Sequence, residues 1–378
     1  MPDIKIWLSK ADVTELEVEY VTRAMRSGWV TPAGPDLNAF ETEVAQRVGV
    51  DHAVGLASGT AGLHLALVSW GIRPGDVVVT STLTFAATAN AVRYTGADLH
   101  FVDCDPATAN MDPVLLEKAI ADVRAQGKRI GAIIPVDMLG EPVDYAAIES
   151  IAAEAEVPLL CDAAESFGAT YAGRACGSFG DASVVSFNGN KIMTTSGGGM
   201  LLTNDRRLAD HVRKLATQAR EPVPWYEHTE VGYNYRLSNI LAALGRAQLS
   251  RLDVMIARRA AWRSRYRELV SIPGVGFLGG TAGAIPNAWL TAVVVDAEVT
   301  GWTADDFAEH LLASGIETRP VWKPLHQQPV FAACSSTLSG AADGIFAKGL
   351  TLPSGSGLTD DEFAFVENRI TEFLEGNR

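Results

Sequence analysis

Residues 50–205 show a repeating pattern in which short apolar runs alternate with helical stretches. The strand candidates in chain order are DHAVGLAS, DVVVTS, ADLHFVD, RIGAIIPVD, VPLLCDAA, ASVVSFN and GGGMLLTN. Helices are predicted for GTAGLHLALVSWG, for TFAATANAVRYTG, and for the stretch that Asp112 and Pro113 open by N-cap and first-turn chemistry. Strands that alternate with helices indicate an α/β layer built on a mostly parallel sheet.

The pattern changes after residue 237. LSNILAALGRAQLSRLDVMIARRAAWRSRYRELV predicts one long helix or a broken pair of helices. An α+β pattern follows, with AWLTAVVVD and IETRPV as strands and TADDFAEHLLASG and DDEFAFVENRITEFLEG as helices. The 378 residues exceed the roughly 250–300 at which a single core stops growing. We therefore predict a large domain over residues 13–250 and a small domain over residues 251–378, to which residues 1–12 also belong.

Charge and composition narrow the classes of function. The net charge of −14 opposes nucleic-acid binding, which needs a basic surface, but allows a small anionic ligand in a local basic pocket. The start MPDIKIWLSKADVTELE lacks a signal-peptide pattern, and no apolar run reaches about 18 residues. We predict a cytoplasmic protein without a membrane span. The four cysteines form no CxxC pair or zinc-type cluster, which predicts buried free thiols and no metal site.

Two groups of residues follow predicted strands at the sheet edge where α/β proteins bind ligands. Ser58, Gly59 and Thr60 lie between a strand and a helix, where free backbone N–H groups suit a phosphate. An ordinary helix N-cap explains the same residues equally well. Phe85 opens the next helix, and its ring either covers a flat ligand or belongs to the core.

Two charged residues complete the candidate chemistry. Asp162 directly follows an apolar strand, so its carboxylate must be paired or hydrogen-bonded, by a helix cap, an arginine or a ligand. Lys191 lies in SFNGNKIMTTSGGGM between two apolar strands. It is either a structural lysine bonded to turn carbonyls or an amine that forms a Schiff base with an aldehyde. A phosphate turn, a ring cover, a carboxylate and a lysine together are the parts that bind pyridoxal phosphate.

The chain resembles the DegT/DnrJ/EryC1/StrS family of sugar aminotransferases. The motifs that carry the resemblance are ASGTAGLHLAL, TFAATANAV, DAAESFGA, SFNGNK and GYNYRLSNILAALGRAQL, in family order over essentially the whole chain. The resemblance implies the fold-type-I architecture of pyridoxal-phosphate-dependent aminotransferases. That architecture has a large α/β domain, with a mixed, mostly parallel sheet flanked by helices, and a smaller α+β C-terminal domain.

The resemblance also implies roles for individual residues. Those that match the family's cofactor-binding positions are Ser58, Gly59, Thr60, Phe85, Asp162, Glu165, Ser186, Lys191 and Asn234. Lys191 and Asp162 match the catalytic pair, in which lysine binds the cofactor aldehyde and aspartate pairs with the ring nitrogen. Glu165 matches a position, often Gln, beside the ring hydroxyl. Asn234 matches a residue that reaches the phosphate of the neighbouring subunit, which implies a homodimer with shared active sites.

Departures from the family pattern bear on the substrate. Ser196-Gly197-Gly198-Gly199 replaces a frequent Gly-Glu-Gly-Gly run, and Asn190 stands where Thr is frequent. These variants, with TRPVWKPLHQQPVF and LTLPSGSGL, resemble the bacillosamine-type branch, which aminates C4 of UDP-linked 4-keto-6-deoxy-N-acetylhexosamine with L-glutamate as donor. The substrate-binding candidates are Trp29, Thr31, Arg319, Lys323 and His326. Solvated surface charges and a merely packed tryptophan explain that cluster as well.

Two alternatives to this function remain open. The same chemistry on a dTDP- or GDP-linked ketosugar fits the motifs. A regulatory protein that binds the cofactor without turnover is the alternative from another class. Dehydratases of the family replace the lysine by histidine, so Lys191 favours transamination over dehydration.

Overall fold

A computed structural model describes residues 4–377. Within this range the α-helices are α1 Glu15–Arg26, α2 Pro35–Val48, α3 Gly59–Ser69, α4 Ala86–Tyr94, α5 Pro113–Ala125, α6 Tyr145–Glu154, α7 Arg206–Ala216, α8 Asn239–Leu269, α9 Ala297–Thr300, α10 Ala304–Ala313, α11 Ala341–Lys348 and α12 Asp360–Gly376. The strands are β1 His52–Leu56, β2 Asp76–Ser81, β3 Asp98–Val102, β4 Arg129–Ile134, β5 Leu160–Asp162, β6 Thr170–Tyr171, β7 Arg174–Ala175, β8 Ala182–Ser186, β9 Gly199–Thr203, β10 Val275–Phe277, β11 Ala284–Ile285, β12 Thr291–Val295, β13 Arg319–Pro320, β14 Ser335–Thr337 and β15 Gly349–Leu352.

The predicted α/β layer is confirmed as a mixed, mostly parallel sheet. Its two halves have the strand orders β1-β9-β8-β5 and β14-β3-β2-β4. Parallel bridges Ile133–Leu159 and Val136–Asp162 connect the β4 side of one half to β5 of the other. Strand β9 is antiparallel to both neighbours, while the other pairs in these two halves are parallel. The carboxyl ends of β1, β2, β5 and β8 therefore meet at one edge.

Local chemistry explains where the helices on this sheet begin. Asp112 caps α5, as predicted, by accepting hydrogen bonds from the amides of Val114 and Leu115, and Pro113 occupies the first turn. Ser58 caps α3 in the same way through the amide of Ala61. Helix α3 is buried along almost its whole length, so its amino end is fixed firmly against the sheet edge.

The second half of the chain forms a smaller antiparallel sheet covered by helices. Its strand order is β10-β12-β15-β13, and α10 and α12 pack together beside it. The stretch predicted as one helix or a broken pair is the single 31-residue helix α8. Trp262 on α8 stacks on Phe363 of α12, with ring centroids 4.2 Å apart. A parallel bridge from Ile6 to Ile316 attaches the amino-terminal segment to this half.

Some features do not follow the predicted division of the chain. Helix α8 runs without interruption across residue 250, and β14 lies beside β3 in the large sheet although it belongs to the carboxyl-terminal part of the sequence. The limits of the two domains therefore stay a prediction. Cys104, Cys161 and Cys176 are buried free thiols, but Cys334 is only half-buried. Across residues 4–377, every helix is too short or too polar to cross a membrane.

Candidate active site

A cavity of about 300 Å³ lies at the edge where the carboxyl ends of the parallel strands meet. Its lining includes eight residues predicted to contact the cofactor, which are Ser58, Gly59, Thr60, Phe85, Asp162, Glu165, Ser186 and Lys191. A wider depression of about 690 Å³ lies beside Trp70 and Glu149, but no lysine, serine or cysteine lines it. Reactive groups therefore converge on the smaller cavity.

The amino end of α3 forms one wall of this cavity. The first N–H groups of a helix have no partner within it, and the helix dipole favours an anion there. A Cβ atom on Gly199 would lie 2.4 Å from the amide nitrogen of Gly59, so glycine is required where β9 passes this turn. A Cβ atom on Gly59 would lie 3.3 Å from the Cβ of Ser186. These small residues leave room for a phosphate between α3 and β8.

The carboxylate of Asp162 lies at the buried end of the cavity. Thr88 Oγ1 donates to Asp162 Oδ2 at 2.7 Å, and the amide of Ala164 donates to Oδ1 at 3.1 Å. Burial raises the pKa of Asp162 above its ordinary value, although these two hydrogen bonds lower it. Its only hydrogen-bonding partners within residues 4–377 are neutral donors, so a protonated ring nitrogen would supply the opposite charge that the carboxylate needs.

Lys191 lies in the turn between β8 and β9, and two side chains contact its amine. Its Nζ is 3.2 Å from Glu165 Oε1, and the two side chains are only 12% and 3% exposed. The ammonium also lies 4.0 Å from the centre of the Trp289 ring, in cation–π contact. The other carboxylate oxygen of Glu165 accepts from the amide of Leu139 at 2.7 Å. The amine thus faces the cavity and has an acceptor for its proton.

Two predicted cofactor residues are exposed. The Phe85 ring lines the cavity mouth and is 64% exposed, so it is not a core residue. Asn234 is exposed too, but it does not line the cavity of its own chain. Its backbone forms a bridge with Thr217 instead. This position leaves the Asn234 side chain accessible to another subunit.

The structure adds two residues to the predicted site. Thr88 lies one turn into α4 after Phe85, and its hydroxyl reaches Asp162. Its position three residues after Phe85, the residue that caps α4, is a sequence signal that could have pointed to it. Trp289 is 98 positions from Lys191 in the sequence, and no local pattern connects the two residues.

The substrate candidates Trp29, Thr31 and Lys323 lie on the protein surface. Trp29 is 48% exposed, and its carbonyl accepts from the side-chain amide of Asn239 at 3.2 Å. The amide of Asn239 donates to the carbonyl of Thr31 at 2.8 Å. The start of α8 therefore fixes the backbone of residues 29–31, but none of these three candidates lines the cavity around Lys191.

His326 is held by two neighbours rather than free to bind a phosphate. Its Nδ1 lies 2.7 Å from Thr82 Oγ1, and its Nε2 lies 2.9 Å from Asp343 Oδ1. The side chain is 14% exposed. The predicted contact of His326 with a substrate would require the ring to release one of these partners.

Arg319 lines a second cavity of about 590 Å³, which also contains Trp322 and Asn190. Since Asn190 precedes Lys191 in the chain, this cavity lies next to the lysine turn. Glu317 accepts from Arg319 Nε at 3.0 Å and from Nη2 at 2.7 Å. One carboxylate thus partly neutralises the guanidinium in this cavity.

The residues present fit pyridoxal phosphate. An amino helix end with small residues suits its phosphate, and a lysine beside Glu165 suits its aldehyde. A buried carboxylate that accepts from the neutral donors Thr88 and Ala164 suits its ring nitrogen. The mixed sheet and this site together define a pyridoxal-phosphate-dependent aminotransferase. A sequence model of the DegT/DnrJ/EryC1/StrS aminotransferase family matches residues 11–371, and the chain belongs to this family.

Known relatives extend over nearly the whole chain. EpsN of Bacillus subtilis (strain 168), named as a pyridoxal phosphate-dependent aminotransferase, is 41% identical over 98% of this chain and 95% of its own. A GDP-perosamine synthase of Caulobacter vibrioides is 38% identical over 99% of both chains. The crystal structure of the aminotransferase TlmJ from Streptoalloteichus hindustanus has a TM-score of 0.90 and 30% identity, covering 98% of this chain and 99% of its own.

Proposed function

We propose that this protein transfers an amino group from L-glutamate to C4 of a nucleotide-linked 4-keto-6-deoxy sugar, with UDP-2-acetamido-2,6-dideoxy-hexos-4-ulose as the substrate. The observation that carries the proposal is the convergence of Lys191, Glu165 and Asp162 on one cavity at the sheet edge. A second cavity with Arg319 and two tryptophans lies beside the lysine turn and has the size and mixed polarity that a sugar nucleotide needs.

The residues of the site would divide the work between binding and proton transfer. Pyridoxal phosphate, when bound, stabilises the negative charge that develops at an amino-bearing carbon and carries the amino group from donor to acceptor. The amides of Gly59 and Thr60, with the Ser186 hydroxyl, would hold the phosphate. Asp162 would keep the ring nitrogen protonated, since burial makes an isolated carboxylate unfavourable and a cation offsets that cost.

Lys191 would take a proton from the amino-bearing carbon of L-glutamate and would deliver a proton to C4 of the acceptor sugar. A general acid–base group needs a proton partner within hydrogen-bond reach, and Glu165 Oε1 at 3.2 Å from Nζ provides one. Trp289 beneath the ammonium restricts the lysine to positions that face the cavity. Phe85 at the mouth would cover the bound ring and exclude water from it.

The experiment that tests the substrate uses purified protein, pyridoxal phosphate, glutamate and a matched panel of UDP-, dTDP- and GDP-linked 4-keto-6-deoxy sugars. Mass spectrometry measures the 4-amino sugar and the 2-oxoglutarate formed from each. Equal amounts of amino sugar and 2-oxoglutarate with the UDP-linked substrate support the proposal. Product from another nucleotide alone would refute the UDP assignment but keep the aminotransferase chemistry.

A GDP-linked ketosugar is the second candidate substrate. It is favoured by the GDP-perosamine synthase of Caulobacter vibrioides, which is 38% identical to this chain over almost its full length. The same panel distinguishes the two candidates through the ratio of kcat/KM values for the GDP- and UDP-linked sugars. A ratio above one would favour the GDP-linked sugar.

We also propose a homodimer in which Asn234 completes the phosphate site of the partner subunit. The exposure of Asn234 outside its own cavity supports this arrangement, as does the apolar surface on the neighbouring segment at Trp225, Tyr226 and Val231. Subunit mixing tests it, because Lys191→Ala and Asn234→Ala homodimers should both be nearly inactive. A mixed dimer carries one intact site and should recover about half of the wild-type activity at most. If verified mixed dimers recovered no activity, the proposal of shared active sites would be wrong.

A further inference from the structure

Arg259 on α8 is a buried cation whose role the catalytic scheme does not explain. It is 2% exposed, and its pKa is lowered to about 10 by burial. Within residues 4–377, all hydrogen bonds of its guanidinium go to uncharged oxygens, which belong to Ser9, Trp289 and Ser354. A buried charge that is not neutralised by a carboxylate is costly, and an apolar residue would normally be cheaper at such a position.

The hydrogen bonds from Arg259 lead to the turn that carries Lys191. Its Nη1 donates to the carbonyl of Trp289 at 2.8 Å, and its Nη2 donates to Ser9 Oγ at 3.2 Å. The Ser9 hydroxyl then donates to the carbonyl of Asn190 at 2.8 Å, and Trp289 Nε1 donates to the same carbonyl at 2.7 Å. Two donors oriented by one arginine thus hold the peptide group directly before Lys191.

The same tryptophan also contacts the lysine amine. The Trp289 ring lies 4.0 Å from Lys191 Nζ, so a shift of Trp289 would move both the backbone and the side chain of Lys191. Because the guanidinium donates to the Ser9 oxygen, the serine hydroxyl is oriented to donate its own proton to the carbonyl of Asn190. Successive hydrogen bonds in such a chain strengthen one another. The planar fork of arginine suits this task because it reaches Ser9 and Trp289 together.

We propose that Arg259 is a positioning residue for Lys191, acting through Ser9 and Trp289 on the carbonyl of Asn190. This proposal depends on the proposed function in one respect, which is the chemical role of Lys191 in the enzyme. The position of the turn itself is a property of the protein without cofactor. It can therefore be measured separately from activity.

Hydrogen exchange of the cofactor-free protein, followed by mass spectrometry, is the direct test. Arg259→Met and Ser9→Ala should each accelerate exchange in peptides that cover residues 187–196 by roughly fivefold, as expected for the loss of one hydrogen bond. Because the two changes break the same chain, the double variant should exchange little faster than Arg259→Met alone. Ser9→Ala keeps the test decisive if Arg259→Met does not fold.

Arg263→Met is the matched control. Arg263 lies one turn further along α8, and its side chain is 11% exposed. It lies 3.9 Å from Glu141 and donates to the carbonyl of Leu278 at 2.9 Å. It has no hydrogen bond to Ser9, Trp289 or Asn190. This variant should lower thermal stability but leave exchange in residues 187–196 unchanged.

A second measurement uses pyridoxal phosphate as a probe. In the visible region, circular dichroism of lysine-bound pyridoxal phosphate reports how the chromophore is held. Arg259→Met and Ser9→Ala should reduce the signal per bound cofactor, and Arg259→Lys should restore part of it. Unchanged exchange at residues 187–196 in Arg259→Met would overturn the positioning role. A wild type that binds no pyridoxal phosphate would instead refute the proposed function, and the exchange result would still decide the role of Arg259.

Discussion

The hydrogen bond from Thr88 to Asp162 offers a sharp test of how the cavity holds its carboxylate. Thr88 is 1% exposed, and Thr88→Val removes the hydroxyl while it keeps the shape of the side chain. The lost bond is 2.7 Å long and goes to a buried carboxylate. Hydrogen bonds to charged groups contribute about 1.5–3 kcal/mol, so the free energy of unfolding of the cofactor-free protein should fall by about that amount where Asp162 is ionised.

The effect of Thr88→Val should depend on pH. Burial raises the pKa of Asp162 in the folded protein, so its contribution to stability is greatest at low pH and is lost as pH rises through the folded pKa. The Thr88 hydrogen bond opposes that shift, and its removal raises the pKa further. The destabilisation by Thr88→Val should therefore increase as pH rises, because an ionised carboxylate loses a stronger hydrogen bond than a protonated carboxyl does.

Thr80→Val is the matched control for this experiment. Thr80 is fully buried in β2 and donates to the carbonyl of Ile134 at 2.8 Å, which is a neutral acceptor. Thr80→Val should lower the free energy of unfolding by about 1 kcal/mol at both pH 4.5 and pH 8. Urea unfolding of the three cofactor-free proteins at pH 4.5 and pH 8 measures the difference. Equal pH dependence in Thr88→Val and Thr80→Val would refute the account of Asp162.

Two further predictions concern the surroundings of the cavity. Burial raises the pKa of Asp137 to about 6, so its contribution to stability is present below about pH 4 and is lost between pH 4 and 6. Asp137→Asn should remove roughly 3 kcal/mol of that pH dependence. Urea unfolding measures the change, with the exposed Asp361→Asn as the control. Gly199→Ala should weaken pyridoxal phosphate binding by at least about tenfold, because the new Cβ would lie 2.4 Å from the amide nitrogen of Gly59. Gly276→Ala, whose Cβ would meet open space, should leave the binding unchanged. An unchanged dissociation constant in Gly199→Ala would contradict the phosphate turn.

The arrangement of the sheet could be predicted because its signals are local. Apolar runs of strand length separated by helices indicate a parallel sheet, and the carboxyl ends of parallel strands meet at one edge. This rule brings Ser58, Asp162 and Ser186 together although they are far apart in the sequence. Asp112 and Pro113 fixed the start of α5 for an equally local reason.

The remaining parts of the site depend on contacts between distant segments. The ring of Trp289 contacts the amine of Lys191. The two ring nitrogens of His326 contact Thr82 and Asp343. No periodicity or motif specifies such pairs, because they arise only when segments that are distant in the sequence fold together. The unbroken length of α8 has a similar origin, since contacts with α1, α2 and α12 support it along its length.

The decisive measurement for Lys191 is the absorbance spectrum of the purified protein with pyridoxal phosphate. We expect a visible band for lysine-bound cofactor in the wild type, its loss on addition of L-glutamate, and its absence from Lys191→Ala. The exposed control Lys5→Ala should behave like the wild type. A wild type without the band, or a Lys191→Ala variant that retains it, would contradict the assignment of Lys191 and the function built on it.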